Sequence, residues 1–128
     1  MRLKQYLTLI HNIIQSRQET VVDHFLVQEV MPDREGLIEG RIRFWDQLLL
    51  QFVEVLQARG LVLVKTDYAY HYQDANDELI FRYDNAPHHP TVATFPHHKH
   101  TKTTIEESQP PHLGDVLKEI DRILYEKP

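Results

Sequence analysis

Seventeen residues from Asp84 to His100, DNAPHHPTVATFPHHKH, hold five histidines and three prolines but only one acid. Imidazole changes charge near neutral pH and offers a ligand lone pair when neutral, so this density points to proton transfer, phosphate binding or metal ligation. Spacing narrows the metal option. Neighbouring side chains of an extended chain leave opposite faces, so His88 and His89 do not easily share one ion, nor do His97 and His98. His98 and His100 fall on one side if their segment is extended, and one of the His88/His89 pair can close across the loop. His89, His98 and His100 are therefore the candidate metal ligands, although no zincin, zinc-finger or EF-hand spacing is present.

Metal-free phosphoryl chemistry needs fewer parts, and it is the preferred expectation, with no cofactor. Cleaving RNA through its 2′-hydroxyl takes a base for that proton, an acid for the departing 5′-oxygen, and donors or cations around the phosphorus. Base and acid come from the set His88, His89, His97, His98 and His100. Arg82, on the strand that feeds the loop, joins this catalytic set by neutralising the phosphate. Lys99 is a second cation for it, and Tyr70, Tyr72 and Tyr83 can position RNA through hydroxyls and ring faces. Plain structural readings compete with each of these. Tyrosines at alternate strand positions commonly belong to a core, and Arg82 can simply pair with Asp84 or Asp67. Five histidines in a proline-fixed loop nonetheless exceed what packing asks for.

The elements that position these residues follow from periodicity. Leu3, Tyr6, Leu7, Ile10, Ile13 and Ile14 share one face at helical spacing, predicting a helix over 2–17. Residues 21–30 are rich in β-branched and aromatic types and predict a strand, with a turn over 31–36. LIEGRIRFW alternates with period two, and Asp46-Gln47 reverses the chain into the strand LLLQFVEVLQ. Residues 58–66 predict a short connection or edge strand. Tyr68, Tyr70 and Tyr72 alternate with polar neighbours, Asp74 to Asp77 turn the chain, and LIFRYD completes a hairpin. The histidine segment is predicted to be mainly loop, because Pro87, Pro90 and Pro96 cannot donate to a ladder, with a short extended piece at 91–95. Leu113, Val116, Leu117, Ile120, Ile123 and Leu124 mark a C-terminal helix. Residues 1–128 thus read as a single α+β domain: N-terminal helix, antiparallel meander of four to five strands, C-terminal helix, in two layers.

Composition excludes several classes. There is no cysteine, so disulfides, thiolate metal sites and cysteine nucleophiles are absent. Four glycines leave little room for a phosphate-cradling loop, and Ser16 and Ser108 lie in no nucleophile-elbow context. No apolar run approaches the roughly 18 residues of a membrane helix, nor does the N-terminus resemble a secretory signal, so a cytoplasmic location is expected. The formal net charge of −5 argues against a long electrostatic track for nucleic acid. The stretch from Asn85 to Thr104 lacks acids altogether, however, and can hold a single phosphate.

The strings YHYQ at 70–73, LIFRYDNAPHHP at 79–90 and TFPHHKH at 94–100 resemble the TumE family, toxin components of type II toxin–antitoxin systems. The resemblance extends more loosely through the Trp45-Asp46-Gln47 hairpin and the last helix. Asp46-Gln47-Leu48 stands where many relatives carry Asp-Gly-Ser, which bears on the turn. The resemblance implies a cytoplasmic toxin neutralised by a cognate helix-turn-helix antitoxin, and it supplies no set of catalytic residues. The helix–meander–helix order is also similar to RelE-like toxin ribonucleases, an analogy of fold alone. The leading expectation is thus a toxin acting on RNA as a metal-independent ribonuclease. The alternatives are a metal-dependent phosphodiesterase on the same loop and a non-enzymatic binding module. An unpaired edge strand leaves a homodimer open.

Overall fold

The structure, a computed structural model, describes residues 1–126. Helix α1 (Leu3–Ser16) is followed by seven strands: β1 (Thr20–Met31), β2 (Glu35–Phe44), β3 (Leu49–Arg59), β4 (Val62–Gln73), β5 (Leu79–Asp84), β6 (His98–Thr101) and β7 (Ile105–Glu107). Helix α2 (Leu113–Tyr125) ends the order. Each strand pairs antiparallel with its sequence neighbours, giving one sheet in the order β1 to β7.

The α+β class and the helix–meander–helix order agree with expectation, but the sheet has seven strands rather than four to five. The difference lies where apolar alternation is weak. Residues 58–66 are neither connection nor edge: Gly60, at φ +62°, turns the chain, and Val62 opens the central strand of the sheet. The extended piece expected at 91–95 is instead a run of turns, with Val92 N–H bonded to His89 O, Phe95 N–H to Val92 O and His97 N–H to Thr94 O. Pairing resumes at His98, in β6. That strand carries no apolar alternation because its polar side faces the open surface, while the Lys99 ammonium lies over the Phe81 and Tyr83 rings. The remaining hairpins turn where polar residues accept local bonds. Asp74 Oδ1 takes the N–H groups of Asn76 and Glu78, and Asp46 Oδ1 takes that of Leu48.

Register sorts the side chains into two faces. Ile38, Glu54 and Tyr68 lie opposite one another across β2, β3 and β4, and Ile42, Leu50, Tyr72 and Phe81 do so across β2 to β5. This face is covered. Leu3, Leu7, Ile10 and Ile14 of α1, and Leu113, Val116, Leu117, Ile120 and Leu124 of α2, join it in one core. Each such aliphatic side chain stabilises the fold by about 1.5–3 kcal/mol. Arg17 after α1 ties the helix layer to α2 through Asp121 at 2.6 Å. A carboxylate is buried inside this core: Glu54 accepts from Tyr70 Oη at 2.6 Å and from Tyr6, and Lys65 Nζ donates to Tyr70 Oη at 2.6 Å. The other face carries Arg41, Gln51, His71, Arg82 and His100 in cross-strand register, and no helix among the described residues covers it. Among the described residues, no helix is long and apolar enough to cross a membrane.

Candidate active site on the uncovered sheet face

Strand geometry brings the central residues together. Arg82 and Asp84 are two apart on β5, and His98 and His100 two apart on β6, so all four point to one face. Register then sets Asp84 opposite His98 and Arg82 opposite His100. The thirteen-residue connection must leave β5 and return beside it. Asn85 anchors its start, accepting from Tyr68 N–H at 3.1 Å and donating to Thr66 O at 2.9 Å, and so continuing the ladder by side chain. Thr94 anchors its return, donating to His97 O and accepting from Ser108 N–H. Between them the turns lay His89 over the sheet. Its ring centroid is 5.0 Å from that of His98 and 5.3 Å from that of His100, while His98 and His100 are 4.7 Å apart.

Asp84 and His98 form the buried base of this cluster, at 5% and 2% exposure. His98 Nδ1 donates to the Pro96 carbonyl at 2.8 Å, and its Nε2 faces Asp84 Oδ1 at 3.0 Å. Asp84 also accepts from Arg82 Nε at 2.8 Å and from the Ala86 N–H at 3.0 Å. Burial alone raises a carboxyl's pKa, but the Arg82 bond, the Ala86 N–H and the nearby His98 outweigh it and hold Asp84 below its ordinary range. His100 Nε2 lies 3.7 Å from Asp84 Oδ2. Its pKa is lowered by burial first and then by His98, so neutral imidazole is favoured there. Arg82 Nη1 donates onward to His71 Nδ1 at 3.3 Å, and burial followed by the Arg82 charge also lowers the His71 pKa. Arg82 and His71 border a groove of about 690 Å³ on the same face, lined also by His24, Glu39, Arg41 and Gln51.

Of the residues singled out by sequence, His89, His98, His100 and Arg82 meet in this cluster. One ligand atom from each of the three histidines lies within 4.8 Å of the others, the set expected for a metal. The rest lie elsewhere. His88 is exposed at the loop surface. His97 points to the opposite face, stacked on Tyr68 with Nδ1 2.8 Å from its hydroxyl. Lys99 pairs with Glu119 of α2 at 2.8 Å, and Tyr83 donates to the same carboxylate. Tyr70 and Tyr72 are fully buried under the helices, where no base can stack on them. For Tyr70, Tyr72, Tyr83 and Lys99 the cause is one: β4, β5 and β6 alternate faces, so every second residue of each turns toward the helices. Asp84 and His71 are the residues missed. Period two from Arg82 selects Asp84, and the partners of the buried tyrosines select His71, once a face is known to be covered.

A family model described as Toxin TumE matches residues 9–124. No curated protein and no solved structure matches the chain.

Proposed function

Because the chain belongs to the TumE family of toxins, we propose that it inhibits growth by cutting RNA at the His89–His98–His100 cluster. The observation that supports this most is the division of labour within the cluster. His98 is sealed beneath, bridging Asp84 and the Pro96 carbonyl, whereas His89 and His100, whose ring centroids are 5.3 Å apart, are both partly open to solvent. One of these two takes the proton of the 2′-hydroxyl as its oxygen attacks phosphorus. The other gives a proton to the 5′-oxygen as the P–O bond breaks, leaving a 2′,3′-cyclic phosphate and a free 5′-hydroxyl. The Arg82 guanidinium, held by Asp84, faces the negative charge that builds on the phosphoryl oxygens. The groove beyond Arg82 gives the flanking nucleotides room.

Family membership implies an antitoxin partner; a helix-turn-helix antitoxin, RNA as target and action in the cytoplasm are parts of this proposal. Single His89→Ala and His100→Ala changes are expected to lower RNA cleavage by about 10²-fold or more and to relieve growth inhibition. Unchanged toxicity and cleavage in the double variant overturn the assignment. If the unaltered protein leaves total RNA intact while copurifying stoichiometrically with another protein, the non-enzymatic binding reading replaces it.

A further inference from the structure

His98 is engaged at both ring nitrogens. Nδ1 donates to the Pro96 carbonyl, and Nε2 faces Asp84 Oδ1 at 3.0 Å, a contact that a proton or a metal ion can bridge. Unbridged, the two acceptors repel at that distance. His100 Nε2 looks toward the other oxygen of the same carboxylate, and His89 closes the third side. A proton on His98 meets the demand at one nitrogen only. An ion among the three rings meets it at all of them.

We propose that His89, His98 and His100 bind one divalent late first-row transition ion, with Zn²⁺ the expected occupant. Three neutral imidazoles suit Zn²⁺, Ni²⁺, Co²⁺ or Cu²⁺, and they suit the hard ions Mg²⁺ and Ca²⁺ poorly. Zinc takes imidazole nitrogen at about 2.0–2.1 Å in tetrahedral array, which brings ligand atoms closer together than the 4.8 Å span present. His89 rides on the connecting loop, so a small inward shift of that ring closes the set. The outer contacts are those a ligating histidine uses. The Pro96 carbonyl fixes the His98 tautomer with Nε2 turned toward the Asp84 carboxylate, which Arg82 steadies. Asp84 also offers a carboxylate oxygen for a fourth position. The functional consequence rests on the ribonuclease reading. A bound ion occupies the lone pairs of His89 and His100 that exchange protons with RNA, so zinc silences cleavage and its removal restores it.

The test uses full-length, tag-free protein stripped with chelator and dialysed. Titration with Co²⁺ is expected to saturate at one equivalent with the visible d–d bands of a four-coordinate ion, which Zn²⁺ then bleaches. His89→Ala and His100→Ala are expected to weaken binding by about tenfold or more, and His88→Ala to leave it unchanged, with circular dichroism reporting that each variant is folded. Absence of a saturable band overturns the site. So does an equal loss in His88→Ala. RNA cleavage measured with EDTA and with added Zn²⁺ separates the two readings. Cleavage that survives EDTA and falls with Zn²⁺ supports both. Cleavage lost in EDTA and restored by Zn²⁺ keeps the ion but overturns metal-free catalysis and silencing. Co²⁺ binding without cleavage in any metal state overturns the ribonuclease alone.

Discussion

At the scale of single residues, Asp84 organises the cluster although it touches no solvent-facing chemistry. Its carboxylate meets Arg82, His98 and the Ala86 N–H, and lies near His100. Asp84→Asn keeps the shape but removes the charge that holds the guanidinium and orients His98. The variant is expected to lose about 1–3 kcal/mol of stability by urea unfolding and to cut RNA at least tenfold more slowly. Unaltered values on both counts make Asp84 a passive neighbour. His97 offers the contrasting case, because its ring packs on Tyr68 on the far face. His97→Phe preserves that packing and gives up one hydrogen bond. It is expected to retain full cleavage while losing about 0.5–1.5 kcal/mol of stability, measured on the same preparations. Alternation along an extended chain separates the neighbours His97 and His98, and the direction of β6 decides which of the two rings faces the cluster.

At the scale of elements, the fit between strands and helices rests on two glycines of β2. A Cβ at Gly40 would stand 2.2 Å from Phe52 Cε1, inside the ring of its neighbour. At Gly36 the nearest atom is Leu3 Cδ1 at 2.9 Å, the end of a flexible side chain on α1. Gly40→Ala is therefore expected to cost about 1–3 kcal/mol, and Gly36→Ala markedly less, in urea unfolding. Equal effects count against the ring-over-glycine packing. These glycines also explain part of what the period-two pattern revealed. LIEGRIRFW was legible as a strand because Ile38, Ile42 and Phe44 alternate with charges. The partner filling the space at Gly40 was not, because Phe52 reaches it only through the β2–β3 register.

At the scale of the whole molecule, stability depends on keeping a set of tyrosines neutral. Tyr68 is pushed from 10.0 to about 12 by burial and then by the charge of Asp84. Tyr6, Tyr70 and Tyr72 are raised further, by burial first and then by nearby carboxylates. The unfolded chain therefore releases these phenolic protons at lower pH than the folded one. Their contribution is complete below the unfolded pKa of 10.0 and is lost as pH climbs through the folded values. The urea midpoint is expected to hold up to about pH 10 and to fall steeply above it, because α1, β4 and the sheet core titrate together. A midpoint unchanged well into that alkaline range overturns this. Of these, Tyr70 and Tyr72 read from sequence as a platform for RNA. In the fold they are the core, and the polar partners between them form the open face.

Sequence by itself determined the helices, the hairpins with strong alternation, the proline-bounded histidine loop and the family, since each rests on local spacing or on a long shared string. Within the loop, spacing along an extended chain also separated His98 and His100 from His97. The tertiary structure decided which face the helices cover, and so which half of every alternation is core and which is site. That choice depends on how α1 and α2 dock across strands distant in the chain. It also decided the meeting of His89 with β6 and the inclusion of Asp84, because register between β5 and β6 is a pairing of residues fourteen to twenty apart that no local pattern encodes.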